Sequence, residues 1–168
     1  MGISLAVPPG ASTPPYRAYT GIAGTFLAGV IGVSGLAAAR KRPLQEFGAI
    51  DLTMLGLATF KTSRIVARDR ITSFVREPLV EGKAYDGADE QPVQDGGMQQ
   101  ALGELVTCTR CIGTWAGAAL ASTQILTPRT GRLLTSVLAG GALNDFLLAG
   151  FSTATAKANE LKQRTSES

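Results

Sequence analysis

The chain has 168 residues and a net charge of +3, and its charged fraction of 17% lies below the roughly 25% of a soluble domain. It contains no His, which removes the commonest general base and metal ligand, and its two Cys exclude a scaffold held by several disulfides. The basic residues flank apolar runs and do not alternate with aromatics, which favours contact with a lipid bilayer over nucleic-acid binding. The composition therefore predicts an integral membrane protein.

The first apolar run follows a proline-rich stretch. Residues 1–19 carry a single charge, Arg17, and are predicted to form an extended N-terminal tail. Residues 20–39 are uncharged over about the 20 positions that a spanning helix requires. The run ends in three alanines before Arg40, as a signal peptide can, but it is longer than a usual signal core and is preceded by only one basic residue. We expect a retained membrane-spanning helix.

The second segment, residues 47–67, supports two interpretations. Its first part is mainly apolar, whereas Lys61, Arg64 and Arg68 then recur on one helical face. It is either a short span whose basic side chains extend to the membrane surface or an amphipathic helix that lies in the interface.

The remaining chain alternates between polar and apolar stretches. Residues 70–101 are predicted to form a polar loop, because the Gly, Pro and acidic residues of 81–97 offer almost nothing to bury. Residues 111–127 and 133–151 are predicted as two further spans, and residues 152–168 as a polar C-terminal tail with a short exposed helix.

The distribution of Lys and Arg near the span ends predicts the orientation. In one arrangement all four segments span and the N-terminus is cytosolic. In the other, 47–67 lies on the membrane surface and three segments span, which places more Lys and Arg residues in the cytosol. Both arrangements place residues 68–110 and the C-terminus in the cytosol.

Two cysteines, Cys108 and Cys111, stand two residues apart at the start of the third apolar segment. A helix N-terminus lowers the pKa of a thiol, and Arg110 would add to that effect. The pair could be a redox dithiol, or half of a four-cysteine zinc site that another chain completes. It could equally be two inert residues that pack at a membrane boundary in a reducing cytosol.

A carboxylate in the last span, Asp145, follows Asn144 in the middle of the apolar run. A carboxylate at that depth must pair, protonate or face water. It could form a proton or ion site, or it could hold helices together as a polar contact. Lys61 and Arg64 end the second segment on the same predicted side and are the candidate partners.

Small residues recur at every fourth position in three segments, and such stripes let helix backbones approach closely in a bundle. The stripes comprise Gly24, Ala28 and Gly32, then Gly113, Gly117 and Ala121, and finally Ser136, Gly140 and Asn144. Tyr19 and Trp115 fall near span ends, where membrane-interface aromatics occur, although core packing equally explains Trp115.

Five short motifs occur together over about residues 48–150. They are Phe60-Lys61-Thr62-Ser63-Arg64-Ile65, Asp69-Arg70-Ile71-Thr72, Gly103-Glu104-Leu105, Cys108 with Cys111, and Gly113-Thr114-Trp115. The combination resembles an uncharacterised family of small bacterial integral membrane proteins, a domain of unknown function with some members in spore-formers. The resemblance implies a bacterial plasma-membrane location and a true span at 47–67, whereas the additional helix at 20–39 departs from the family pattern.

The predicted fold is all-α, a bundle of four transmembrane helices, with three spans plus one interfacial amphipathic helix as the alternative. The first function hypothesis is a structural or accessory protein that binds other membrane proteins or itself. The alternatives are a thiol-disulfide or metal-linked protein that uses Cys108 and Cys111, and a small transporter that uses Asp145. No catalytic residue and no cofactor is predicted, and zinc is considered only if it is shared between chains.

Overall fold

The computed structural model describes residues 14–41, 47–82 and 90–166. Residues 1–13 of the predicted N-terminal tail lie outside the described residues, and so does Arg42, which follows the first apolar segment. Helices account for 86% of the described residues, so the all-α prediction is confirmed. The α-helices are α1 (Tyr16–Ala39), α2 (Ala49–Arg68), α3 (Ser73–Arg76), α4 (Met98–Thr107), α5 (Thr109–Leu126) and α6 (Pro128–Ser166). Two 3₁₀ helices (Arg70–Thr72 and Glu77–Leu79) and two paired strands, β1 (Val80–Glu81) and β2 (Gln91–Pro92), join α2 to α4.

Two of these helices, α1 and α6, are long and apolar enough to cross a membrane, with mean hydropathies of 1.9 and 1.4 over their apolar windows. The helices α2 and α5 are not apolar enough to count as candidate spans by the same measure. The helix α2 carries Asp51 and Lys61, and α5 is rich in Thr, Ser and Gln. The helix α6 continues through the predicted polar tail without a break. No Gly or Pro interrupts residues 152–166, and Glu160 pairs with Arg164 at 2.5 Å one turn later.

The chain forms two compact units. Unit 1 comprises residues up to 36 together with 63–115, and unit 2 comprises 37–62 together with 116–168. Each unit therefore takes one part of α1, α2 and α5. The site described below lies within unit 1.

The polar interval of unit 1 is organised around Arg76, whose side chain is fully buried. Its guanidinium donates two hydrogen bonds to Glu90, at 2.7 and 3.0 Å, and one to the carbonyl of Val66 at 2.7 Å. Val66 lies in the last turn of α2, where helix carbonyls have no partner within the helix. The buried Arg76–Glu90 ion pair therefore lies against the end of α2. It orders part of residues 70–101, for which the sequence predicts a polar loop. Residues 83–89 of that interval lie outside the described part.

The helix α4 packs closely on this interval at Gly103. A Cβ at that position would clash with the carbonyl oxygen of Leu79 and lie 3.1 Å from Cβ of Pro92. Glycine therefore lets α4 rest directly on β2 and on the chain before β1, which fixes the direction in which α4 enters the site.

The core of unit 2 is built from small residues. Ala58, Leu120 and Ala139 form its buried cluster, one residue from each of α2, α5 and α6. Gln124 donates a hydrogen bond to Thr135 at 2.7 Å, which satisfies two buried polar side chains across the α5–α6 turn.

The predicted small-residue stripes differ in whether they contact another helix. Cβ atoms built at Gly113 and Gly117 would lie 3.6 Å from Ser63 and 3.3 Å from Thr59, at the contact of α5 with α2. Open space faces Gly24, Gly32 and Gly140, Ala28 is exposed and Ala121 is half-buried. The packing role of the α1 stripe and of Gly140 stays a prediction.

Candidate functional site

The cysteine pair lies at the junction of α4 and α5. Cys108 has extended backbone angles (φ −91°, ψ 106°) and separates the two helices. Its carbonyl oxygen accepts a hydrogen bond from the amide of Ile112 at 3.0 Å, and its sulfur accepts one from the amide of Cys111 at 3.3 Å. Cys108 is therefore the N-cap of α5, and its sulfur takes the place of the usual capping oxygen.

The two sulfur atoms lie 2.6 Å apart, with the thiol of Cys111 donating to the sulfur of Cys108. Cys108 is half-buried and Cys111 is exposed. The hydrogen bond from Cys111 lowers the pKa of Cys108, the backbone amides of Cys111 and Arg110 and the charge of Arg110 lower it further, and burial opposes them. A thiolate at Cys108 is the nucleophilic form of a cysteine.

A cavity of about 470 Å³ lies beside this pair, and Cys111 is part of its wall. Most of the lining is apolar, with Ile22, Leu27 and Leu105 among the contributors. Phe26 of α1 and Trp115 of α5 meet edge to face with ring centroids 5.2 Å apart, an arrangement that aromatic pairs prefer. The cavity thus joins an aromatic wall to a thiol.

Polar groups of α1 and α4 form a second part of the same wall. The Tyr19 hydroxyl donates a hydrogen bond to one carboxylate oxygen of Glu104. The side-chain NH₂ of Gln100 donates a hydrogen bond to the other carboxylate oxygen of Glu104 at 2.9 Å. The side-chain oxygen of Gln100 accepts a hydrogen bond from the backbone amide of Gly96 at 2.9 Å. Tyr19 and Glu104 both line the cavity.

This network is not indicated by the sequence motifs. The position of Tyr19 near a span end predicts a membrane-interface aromatic, Glu104 stands out only as part of a short motif, and no motif includes Gln100. The available signal was the four-residue spacing of Gln100, Glu104 and Cys108, which puts side chains on one helical face. The contribution of α1 had no sequence signal, because Tyr19 is 85 residues from Glu104.

The zinc hypothesis needs ligands from outside the described chain. Among the described residues, no group of three or more His, Cys, Asp or Glu side chains is arranged to hold a metal ion. A structural zinc site has four ligands. The hypothesis of a site shared between chains stays a prediction.

The other predicted polar site lies in unit 2. Lys61 of α2 binds Asp145 of α6, with Nζ 2.8 Å from Oδ2 and 3.1 Å from Oδ1. Asn144 and Arg64, the other two members of that predicted site, are exposed. The structure therefore brings together Lys61 and Asp145 and leaves Asn144 on the surface of α6.

Comparison with known proteins gives one family and one curated relative. The family described as "Protein of unknown function (DUF1360)" matches residues 54–150. Sporulation protein YjcA of Bacillus subtilis (strain 168) is 27% identical over 95 residues, which cover 54% of this chain and 80% of the relative. No solved structure matches the chain.

Proposed function

The chain belongs to the DUF1360 family, and we propose that it is a multi-pass membrane protein whose dithiol, Cys108 and Cys111, undergoes reversible oxidation to a disulfide. The observation that carries the redox part is the direct contact of the two sulfur atoms at the N-terminus of α5, where Cys108 is the N-cap and Cys111 lies in the first turn. The sequence resemblance to a family of unknown function is confirmed over nearly the expected residues.

The distribution of side chains supports a bilayer location. Large apolar residues are exposed along both apolar helices, such as Ile31 at 70% and Phe151 at 73%, whereas Arg76, Gln100 and Gln124 are buried. In a water-soluble protein the large apolar residues are buried and polar ones are exposed. Hydrocarbon reverses that preference for the outer surface, and small or hydrogen-bonded polar residues then form the helix contacts.

The helix directions within unit 1 support four spans. Tyr19 of α1 meets Glu104 of α4 and, further along both segments, Phe26 of α1 meets Trp115 of α5, so α1 runs in the same direction as the chain from α4 into α5. Two parallel helices enter a membrane from the same side. In the three-span alternative, α1 would cross inward and α5 outward, which requires opposite directions.

The helix directions within unit 2 support the same arrangement. Ala58 packs with Ala139, and the later Lys61 contacts the later Asp145, so α2 and α6 run parallel. Spans that alternate in direction place the first and third segments parallel, and the second and fourth segments parallel. We therefore propose a bacterial plasma-membrane protein with residues 68–110 and the C-terminus in the cytosol.

The membrane part of the proposal is tested by extraction. The protein should stay in the membrane pellet through carbonate and high-salt washes and should require detergent for release. Several apolar helices inserted in the bilayer hold a protein far more strongly than attachment to the membrane surface does. Recovery in the wash would refute the spanning arrangement.

The dithiol part is tested by redox titration of the purified, detergent-solubilised protein. Oxidised glutathione or diamide should close an intramolecular disulfide, detected as the loss of both alkylation sites in one peptide by mass spectrometry. Cys111→Ser, which keeps a hydrogen-bond donor but cannot form the bond, is the matched control. Thiols that stay reduced under both oxidants would refute the redox function.

A second candidate function is association with another membrane protein or a second copy through α1. The observation that favours it is the open space at Gly24 and Gly32 on a helix whose apolar window is only 6% buried. Ala28→Cys in a background without Cys108 and Cys111 should then form a crosslinked species in membranes. The transporter hypothesis for Asp145 stays a prediction.

A further inference from the structure

We propose that the cavity bounded by Phe26, Trp115 and Cys111 binds a membrane-soluble quinone, which oxidises the dithiol and is reduced to the hydroquinone. This inference rests on the proposed dithiol function and names its electron acceptor. It follows from the size, lining and polar groups of the cavity together with the position of the thiol.

The cavity fits a planar, mainly apolar ring. Its volume of about 470 Å³ lies within the range of roughly 300–1,000 Å³ in which proteins bind small molecules. The rings of Phe26 and Trp115 offer faces and edges to an aromatic or quinonoid ring. Leu27, which lines the cavity, is 58% exposed on α1, so that a ligand dissolved in lipid meets an apolar entrance.

The polar part of the cavity fits a neutral ligand that carries carbonyl oxygens. The single hydroxyl proton of Tyr19, which is donated to Glu104, can be redirected to a quinone carbonyl oxygen by rotation about the C–O bond. Glu104 then keeps its hydrogen bond from Gln100. A carboxylate at Glu104 disfavours fatty acids and other anionic amphiphiles, because two like charges in an apolar cavity repel each other strongly. A quinone combines an apolar ring, hydrogen-bond acceptors and zero charge.

The reaction balances between the dithiol and the quinone. Cys111 lines the cavity, and its sulfur contacts that of Cys108. The Cys108 thiolate takes the proton of Cys111 along the hydrogen bond between them, and the Cys111 sulfur adds to the ring. Loss of that proton from Cys108 to a quinone oxygen then lets the Cys108 thiolate attack the Cys111 sulfur, which forms the S–S bond and breaks the S–C bond. The two thiols lose two electrons and two protons, and the quinone oxygens gain both, which yields one hydroquinone per disulfide.

The test uses the full chain, reduced and reconstituted in lipid nanodiscs, with a benzoquinone that carries one isoprene unit as the probe. We expect one hydroquinone per disulfide, followed by the loss of quinone absorbance and by mass spectrometry of the alkylated protein. Cys108→Ser and Cys111→Ser should each abolish hydroquinone formation. Hydroquinone formation that persists in both variants would overturn the assignment.

A cavity-filling variant separates binding in the cavity from reaction in bulk lipid. Ala23 lines the cavity, so Ala23→Leu should raise the quinone concentration for half-maximal oxidation about tenfold or more, since added methylenes obstruct a filled site. Ala38→Leu, at an exposed position of the same helix outside the cavity, is the matched control and should leave this concentration unchanged. Equal behaviour of the two variants would overturn the location of the site.

Diamide distinguishes the failure of this inference from the failure of the dithiol function. If diamide closes the disulfide and the quinone does not, the quinone assignment is overturned and the dithiol function stands. If neither oxidant closes it, both fail.

Discussion

Lys61 holds Asp145 through both carboxylate oxygens, at 2.8 and 3.1 Å, although the two residues are 84 positions apart. The neighbouring rings of Phe60 and Phe146 stack with centroids 5.2 Å apart. An ion pair and an aromatic pair therefore join α2 to α6 at the same level of unit 2. The pair supplies the partner that a carboxylate requires in an apolar helix.

Asp145→Asn should lower the stability of the detergent-solubilised protein. The amide removes the charge that Lys61 binds and leaves a partly buried ammonium without its counterion, an effect of about 1–3 kcal/mol. Thermal unfolding followed by tryptophan fluorescence measures the change. The charge-reversed pair Asp145→Lys with Lys61→Asp should recover part of the loss. The neighbouring substitution Asn144→Ala is the control and should have little effect; equal losses in Asp145→Asn and Asn144→Ala would contradict the structural role.

Arg76→Met should loosen the interval between α2 and α4. The substitution leaves Glu90 buried without its partner, since the two side chains are 0% and 3% exposed, and breaking such a pair costs about 3–5 kcal/mol. Amide hydrogen exchange over residues 70–82 should become faster. The double substitution Arg76→Met with Glu90→Leu should restore slow exchange in part, and the exposed Arg70→Met should leave it unchanged. Unaltered exchange in Arg76→Met would show that other contacts hold the interval.

The reactivity of Cys108 should reach half its maximum at a lower pH than that of an ordinary cysteine, because the hydrogen bond from Cys111 lowers its pKa. Rates of iodoacetamide labelling against pH measure this. Cys111→Ser retains an O–H donor, whereas Cys111→Ala has none, so the midpoint should lie at lower pH in the serine variant. Coincident pH profiles of the two variants would exclude the hydrogen bond as the cause.

Single cysteines in a background without Cys108 and Cys111 should report the orientation. Leu44→Cys should be labelled by an impermeant maleimide in intact cells, and Gln94→Cys should be labelled only after permeabilisation. The reason is that four alternating spans put residue 44 outside and residue 94 in the cytosol. Protection of Leu44→Cys would favour the interfacial position of α2, and external labelling of Gln94→Cys would reverse the orientation.

The sequence alone determined where the long helices lie. The uncharged run of 20–39 and the apolar run of 133–151 are local features, and both fall inside observed helices. The helices begin earlier than these runs, α1 at Tyr16 and α6 at Pro128. The sequence also determined the family, through motifs that stand close together along the chain. The end of α6 was not predicted, because helix propensity carried it through residues whose polarity indicated a separate tail.

Only the tertiary structure decided which side chains meet. Glu104 acquires Tyr19 as its partner, Asp145 acquires Lys61 and not Arg64, and Arg76 is buried inside an interval that looks solvated. Each of these contacts depends on how far a helix or turn is rotated about its axis and shifted along it relative to its neighbour. Close approaches, such as those of Gly103 to Leu79 and of Gly117 to Thr59, set that rotation and shift. Residue types and spacing within one segment do not encode such distances, because the two partners lie on segments whose register is fixed only when they pack.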